Sequence, residues 1–107
     1  MSTDVRLVVC TFGSAEEAAS VGRTVVEEQL AACMNIVPGV RSIYVWEDEL
    51  CDDEEVVALL KTTRDRFDAL RDRIVALHSY DCPEVLALPV DAGHAGYLDW
   101  VAASVRG

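Results

Sequence analysis

The sequence predicts an α+β fold: a four-stranded antiparallel sheet with two long helices on one face, in the order βαββαβ, closed by a terminal helix. Three observations carry this reading. Stretches rich in β-branched and aromatic residues fall at Val5 to Phe12, Met34 to Glu47, Glu54 to Thr63 and Glu84 to Val90. Between and after them, apolar residues recur at helical spacing from Ala15, from Arg64 and from His94. Right-handed crossovers applied to that order place the two long helices on the same side of the sheet, the ferredoxin-like arrangement.

Each element has a local reason. The first strand, Val5 to Phe12, is central and ends at Gly13. Ser14-Ala15-Glu16-Glu17 then matches a capping box, with the Ser14 hydroxyl taking the Glu17 amide and the Glu17 carboxylate reaching back to the Ser14 amide. In the helix that follows, Ala15, Ala18, Ala19, Gly22, Val25, Val26, Leu30 and Cys33 form one stripe, and Gly22 permits close approach to the sheet. Met34 to Glu47 is a long strand kinked at Pro38-Gly39, in which Tyr44 and Trp46 claim the face opposite Ile43 and Val45. The acidic segment beyond it makes a hairpin to the strand Glu54 to Thr63, whose run Val56-Val57-Ala58-Leu59-Leu60 lacks the alternation of a strand with one wet side. Arg64 to Ser79 is an amphipathic helix with Phe67, Leu70, Ile74, Leu77 and His78 on its apolar side and Thr62 or Thr63 as cap, stopped by Asp81-Cys82-Pro83. Glu84 to Val90 is the fourth strand, and His94 to Val105 the last helix, docking through Tyr97, Leu98, Val101 and Val105. No linker, repeat or low-complexity tract interrupts residues 1–107, so the expectation is a single domain.

Strands greasy on both faces need two covers, and 107 residues hardly supply them. The expectation is an obligate oligomer, since burying about 500 Å² of apolar surface contributes about 12 kcal/mol before association costs. A hydrophobic content of 51% and a mean hydropathy of +0.19 agree with this. A net charge of -10, from nineteen acidic and nine basic residues, excludes nucleic acid as a partner. Seven acids crowd Glu47 to Glu55, without calcium-loop spacing, and read as a solvated hairpin tip. No apolar run reaches membrane-span length and the start carries no signal-like segment, so the expected location is cytoplasmic, away from membranes. Cys10, Cys33, Cys51 and Cys82 are widely spaced and expected to be free thiols.

Phosphate-loop, nucleophile-elbow, zinc-protease and dinucleotide motifs are all missing, which leaves an enzymatic reading without support. The best candidate site is a metal set, Cys10 at the end of the first strand with His78, Cys82 and Glu84 in the segment His78-Ser79-Tyr80-Asp81-Cys82-Pro83-Glu84. Thiolate and imidazole together suit copper or zinc. The same residues admit a structural reading, with His78 offsetting a helix C-terminus and the cysteines packed in the core. Tyr44, Trp46, Tyr97 and Trp100 read as subunit packing, and Lys61, the one Lys, as the partner of a carboxylate such as Glu84 of another subunit.

Five ordered blocks carry a resemblance. Leu30-Ala31-Ala32-Cys33-Met34-Asn35-Ile36-Val37-Pro38-Gly39-Val40, Ser42-Ile43-Tyr44-Val45-Trp46, Lys61-Thr62, His78-Ser79-Tyr80-Asp81-Cys82-Pro83-Glu84 and Tyr97-Leu98-Asp99-Trp100 resemble the CutA-type divalent-cation tolerance proteins over almost the whole chain. The resemblance implies a ferredoxin-like subunit, a homotrimer, and a non-enzymatic role in the response to copper(II) or another divalent cation. It also implies ligation by the Cys before Thr11 and by His78, although Leu77 stands where the family has another His and Ser79 where it has Pro. Cys82 is the expected substitute ligand and Glu84 an added oxygen. The alternative is a trimeric small-molecule or nucleotide sensor like the nitrogen-regulatory proteins, which needs a basic phosphate-binding loop that this chain lacks.

Overall fold

The computed structural model describes residues 3–106. Strands β1 (Val5–Phe12), β2 (Cys33–Trp46), β3 (Glu49–Thr63) and β4 (Val85–Pro89) form one antiparallel sheet in the order β2-β3-β1-β4. Helices α1 (Ala15–Glu27), α2 (Phe67–Leu77) and α3 (Ala95–Ser104) complete the expected order.

β1 shows why one side of the sheet holds the core. Val8, Cys10 and Phe12 are fully buried beneath the helices with Ala58 and Leu60 of β3, Val25 of α1, and Leu70 and Ile74 of α2. Successive side chains point to opposite faces, so Leu7, Val9 and Thr11 look the other way. Through the register they line up with Lys61, Leu59 and Val57 on one side, and Leu7 and Val9 with Leu88 and Leu86 on the other. This second face is apolar and uncovered over most of its area, with Leu86 56% and Leu88 45% exposed.

α3 covers one end of it. Val101 and Val105 pack with Val5, and the Tyr97 hydroxyl contacts the Cys33 thiol at 3.6 Å; Val5 and Cys33 both lie on the open-face register. The terminal helix thus supplies part of the second cover that the strands need.

The hairpin is longer and tighter than predicted. Its turn is only Glu47-Asp48, both at positive φ (50° and 66°), as a two-residue hairpin turn with primed geometry requires. The acids from Glu49 onward therefore belong to β3, paired from Trp46↔Glu49 down to Val40↔Glu55, instead of forming a loop. Low strand propensity is overridden by cross-strand pairing: Arg41 makes a two-point ion pair to Asp52 and the Tyr44 hydroxyl donates to Asp53. Between Val37 and Val40 the register shifts, with Gly39 at φ 76° absorbing the bulge. Ile43, Val45 and Leu50, at 64%, 66% and 75% exposure, lie on an overhang that no helix of the same chain reaches.

Helix ends differ from expectation as well. α1 stops at Glu27 because Gln29 turns left-handed (φ 60°) and the Leu30 amide folds back to the Val25 carbonyl, so Leu30 and Cys33 lie outside the helix. Only half of the capping box forms: Ser14 accepts from the Glu17 amide, while the Glu17 carboxylate turns to Ser79. Thr62 and Thr63 do not cap α2, whose cap position is Arg66. They end β3, where Thr62 donates to the Leu30 carbonyl and Thr63 to Asp65. Gly22 behaves as expected, since a Cβ there would sit 2.7 Å from Met34 Sδ.

Candidate functional site

Beside the C-terminal end of β1, the overhanging hairpin and the segment after α2 enclose a cleft of 580 Å³. Its lining comes from Thr11 of β1, Ser42, Ile43, Tyr44 and Trp46 of β2, Glu55 of β3, and Tyr80, Asp81, Cys82 and Glu84 of the connection into β4. Among the described residues that line it, none is basic. Carboxylates and aromatic rings share its walls.

His78 organises the connection. Its side chain is fully buried, stacked on Phe12 at 4.5 Å with an interplanar angle of 12°. Nε2 lies 2.7 Å from the Thr11 carbonyl, and because a carbonyl only accepts, Nε2 carries the proton. Nδ1 accepts from the Tyr80 amide at 3.1 Å, which fixes the neutral tautomer. Glu17 of α1 holds the next residue, accepting from both the amide and the hydroxyl of Ser79 at 2.9 and 3.0 Å. Tyr80, so positioned, donates its hydroxyl to Glu55 at 2.8 Å. Glu55 is itself only 8% exposed. Burial and that bond to a carboxylate push the Tyr80 phenol up to about 12. Asp53 raises the Tyr44 phenol in the same direction.

The four expected ligands are divided by the sheet. Cys10 is fully buried on the helix-facing side, with its thiol pushed up to about 12 by burial first and by the charges of Glu84 and Glu17 next. A thiol in that setting resists becoming the thiolate that a metal needs. Both ring nitrogens of His78 are engaged, one with its proton and the other with its lone pair. Cys82 and Glu84 line the cleft. Among the described residues, no three His, Cys, Asp or Glu side chains converge on one point of a single chain. The sequence reading missed Glu55, Tyr80 and Thr11 as cleft residues. The signal for Glu55 lay in its place at the inner end of the acidic run, next to the apolar Val56.

Comparisons with known proteins identify the family. The CutA1 divalent ion tolerance protein family matches residues 6–104. The divalent-cation tolerance protein CutA of Thermus thermophilus is 47% identical over 95 residues, 89% of this chain and 92% of that protein. The protein of the same name from Pectobacterium atrosepticum is 38% identical over 103 residues, 96% of this chain and 94% of that one. A crystal structure of CutA from Xylella fastidiosa superimposes with a TM-score of 0.94 at 34% identity, covering 97% of this chain and all of the other. With a family match over nearly its whole length and relatives well above 30% identity, the chain belongs to the CutA1 divalent ion tolerance family.

Proposed function

We propose that this chain acts as a non-enzymatic homotrimer that binds divalent cations, copper(II) among them, at the mouth of the cleft through Cys82 and Glu84. His78 joins these donors only if its bonds to Thr11 and Tyr80 open, and Cys10, buried on the helix-facing side of the sheet, stays outside the set. The observation that carries the reading is a cleft with Glu55, Asp81, Cys82 and Glu84 in its wall and no basic side chain among its described lining residues. Such a wall lowers the cost of bringing a cation out of water and raises that of an anion. It disfavours the nucleotide-sensor alternative for the same reason. Trimer formation is supported by the uncovered apolar face and by the hairpin overhang, which a neighbouring copy would bury.

Titration calorimetry with copper(II) and zinc(II) tests the reading. Saturable binding is expected, weakened about tenfold or more by Cys82→Ser or Glu84→Gln. The absence of saturable heat, or full affinity in both variants, would overturn it.

A further inference from the structure

The uncovered face of the sheet carries two charges among its apolar rows. Successive residues of a strand alternate between faces, so the register puts Leu7, Val9, Leu59, Leu86 and Leu88 on this face, with Asn35 and Lys61 among them. Extending the β4 alternation by one residue adds Glu84, beside Thr11. Below the hairpin overhang, Lys61 and Glu84 are the only charged side chains among the described residues of these four rows. Neither forms an ion pair within the described chain.

The two cannot satisfy each other inside one chain. Lys61 lies opposite Leu7 on one flank of β1 and Glu84 opposite Thr11 on the other, roughly 16 Å apart by strand rise and spacing. Lys61 Nζ leans away from Glu84, donating to Asn35 Oδ1 on β2, and that neutral acceptor takes one of its three protons. In a lone chain water serves the rest. Once a neighbouring copy covers the face, an ammonium with two free protons and a carboxylate with no donor among the described residues both lie in an apolar contact, where each costs free energy until it is paired. Each is the counter-charge that the other lacks.

We propose that each copy pairs its Lys61 with Glu84 of the partner subunit around the ring, so that the two charges select the docking register of the trimer. Different patches meet at such a contact, as a closed three-fold ring requires. Any other register strands both charges against leucines, so the pair rejects wrong assemblies more than it adds affinity. The inference rests on the trimer proposed above and needs no metal, although Glu84 also serves the divalent-cation reading.

Sedimentation velocity with a metal chelator present, over dilution and urea series, tests the proposal. Wild type is expected to sediment as the trimer. Lys61→Glu and Glu84→Lys, each of which sets like charges against one another, raise the concentration at which trimers dissociate by about a hundredfold or more, and combining the two brings it back to within about tenfold of wild type. Lys61→Met, which strands the carboxylate, weakens assembly by about tenfold. A monomeric wild type would overturn the trimer itself. With wild type trimeric, three results would overturn the pair alone: Lys61→Glu assembling like wild type, the double variant assembling no better than Lys61→Glu, or Lys61→Met assembling more tightly than wild type. If the Lys61 variants fail to fold, Glu84→Lys decides, since wild-type assembly there would also overturn the pair.

Discussion

Replacing His78 by Ala tests whether this ring is the structural keystone of the cleft wall. The ring is fully buried, and its loss strands the Thr11 carbonyl and the Tyr80 amide. Each such group costs about 1–3 kcal/mol when left unsatisfied, less whatever water recovers if the connection loosens. The stack on Phe12 adds about 0.5–1.5 kcal/mol. Together these predict a destabilisation of about 3–5 kcal/mol, large against the 5–15 kcal/mol of a typical domain. His78→Phe keeps the stack and most of the volume while losing both polar bonds, so it should cost about 2 kcal/mol. Urea unfolding at one fixed protein concentration measures both, since assembly makes apparent stability depend on concentration. A cost below about 1 kcal/mol for Ala, or a larger cost for Phe than for Ala, would refute the assignment. Copper(II) provides a second readout: if it stabilises wild type but not His78→Phe, the ring is a ligand as well as a keystone.

Three further outcomes are expected. In an ultraviolet titration of the native protein, Tyr44, Tyr80 and Tyr97 stay protonated past pH 10, Tyr80 to about 12; because the unfolded phenols ionise first, stability falls as pH rises above 10, and phenols half-ionised at pH 10 in the native state would contradict this. Thr62→Val, which removes a fully buried hydroxyl donating to the Leu30 carbonyl at 2.7 Å, should cost about 1–3 kcal/mol in urea unfolding, against a null effect if the carbonyl finds another donor. Changing Glu47-Asp48 to Asn-Gly relieves two left-handed residues and should stabilise by about 0.5–1 kcal/mol, whereas no gain would mean that the turn carries little strain.

The fold was legible where composition or helical periodicity was strong. β1 is a run of β-branched residues whose central place follows from its apolar character, and α2 shows Leu70 and Ile74 one turn apart, both buried in the core. What escaped was governed by contacts between distant residues. The acids Glu49 to Glu54 read as a loop by composition, yet pairing with Arg41 to Trp46 makes them strand. Glu17 looked committed to its own helix cap until Ser79, distant in sequence, supplied two better donors. Of the site, Cys82 and Glu84 were found in the sequence and do line the cleft. The Glu55–Tyr80 bond joins residues 25 apart and depends on how the overhanging hairpin meets the turn after α2, which no local pattern encodes.

The central claim is that the sheet needs neighbours. Ile43, Val45, Leu50, Leu86 and Leu88 are each between 45% and 75% exposed in one chain, a pattern that a soluble monomer rarely tolerates. Sedimentation equilibrium at low micromolar concentration measures the particle directly. Three copies of the 11.7 kDa chain predict a mass of about 35 kDa that persists on dilution. A stable, folded particle of single-chain mass would contradict it.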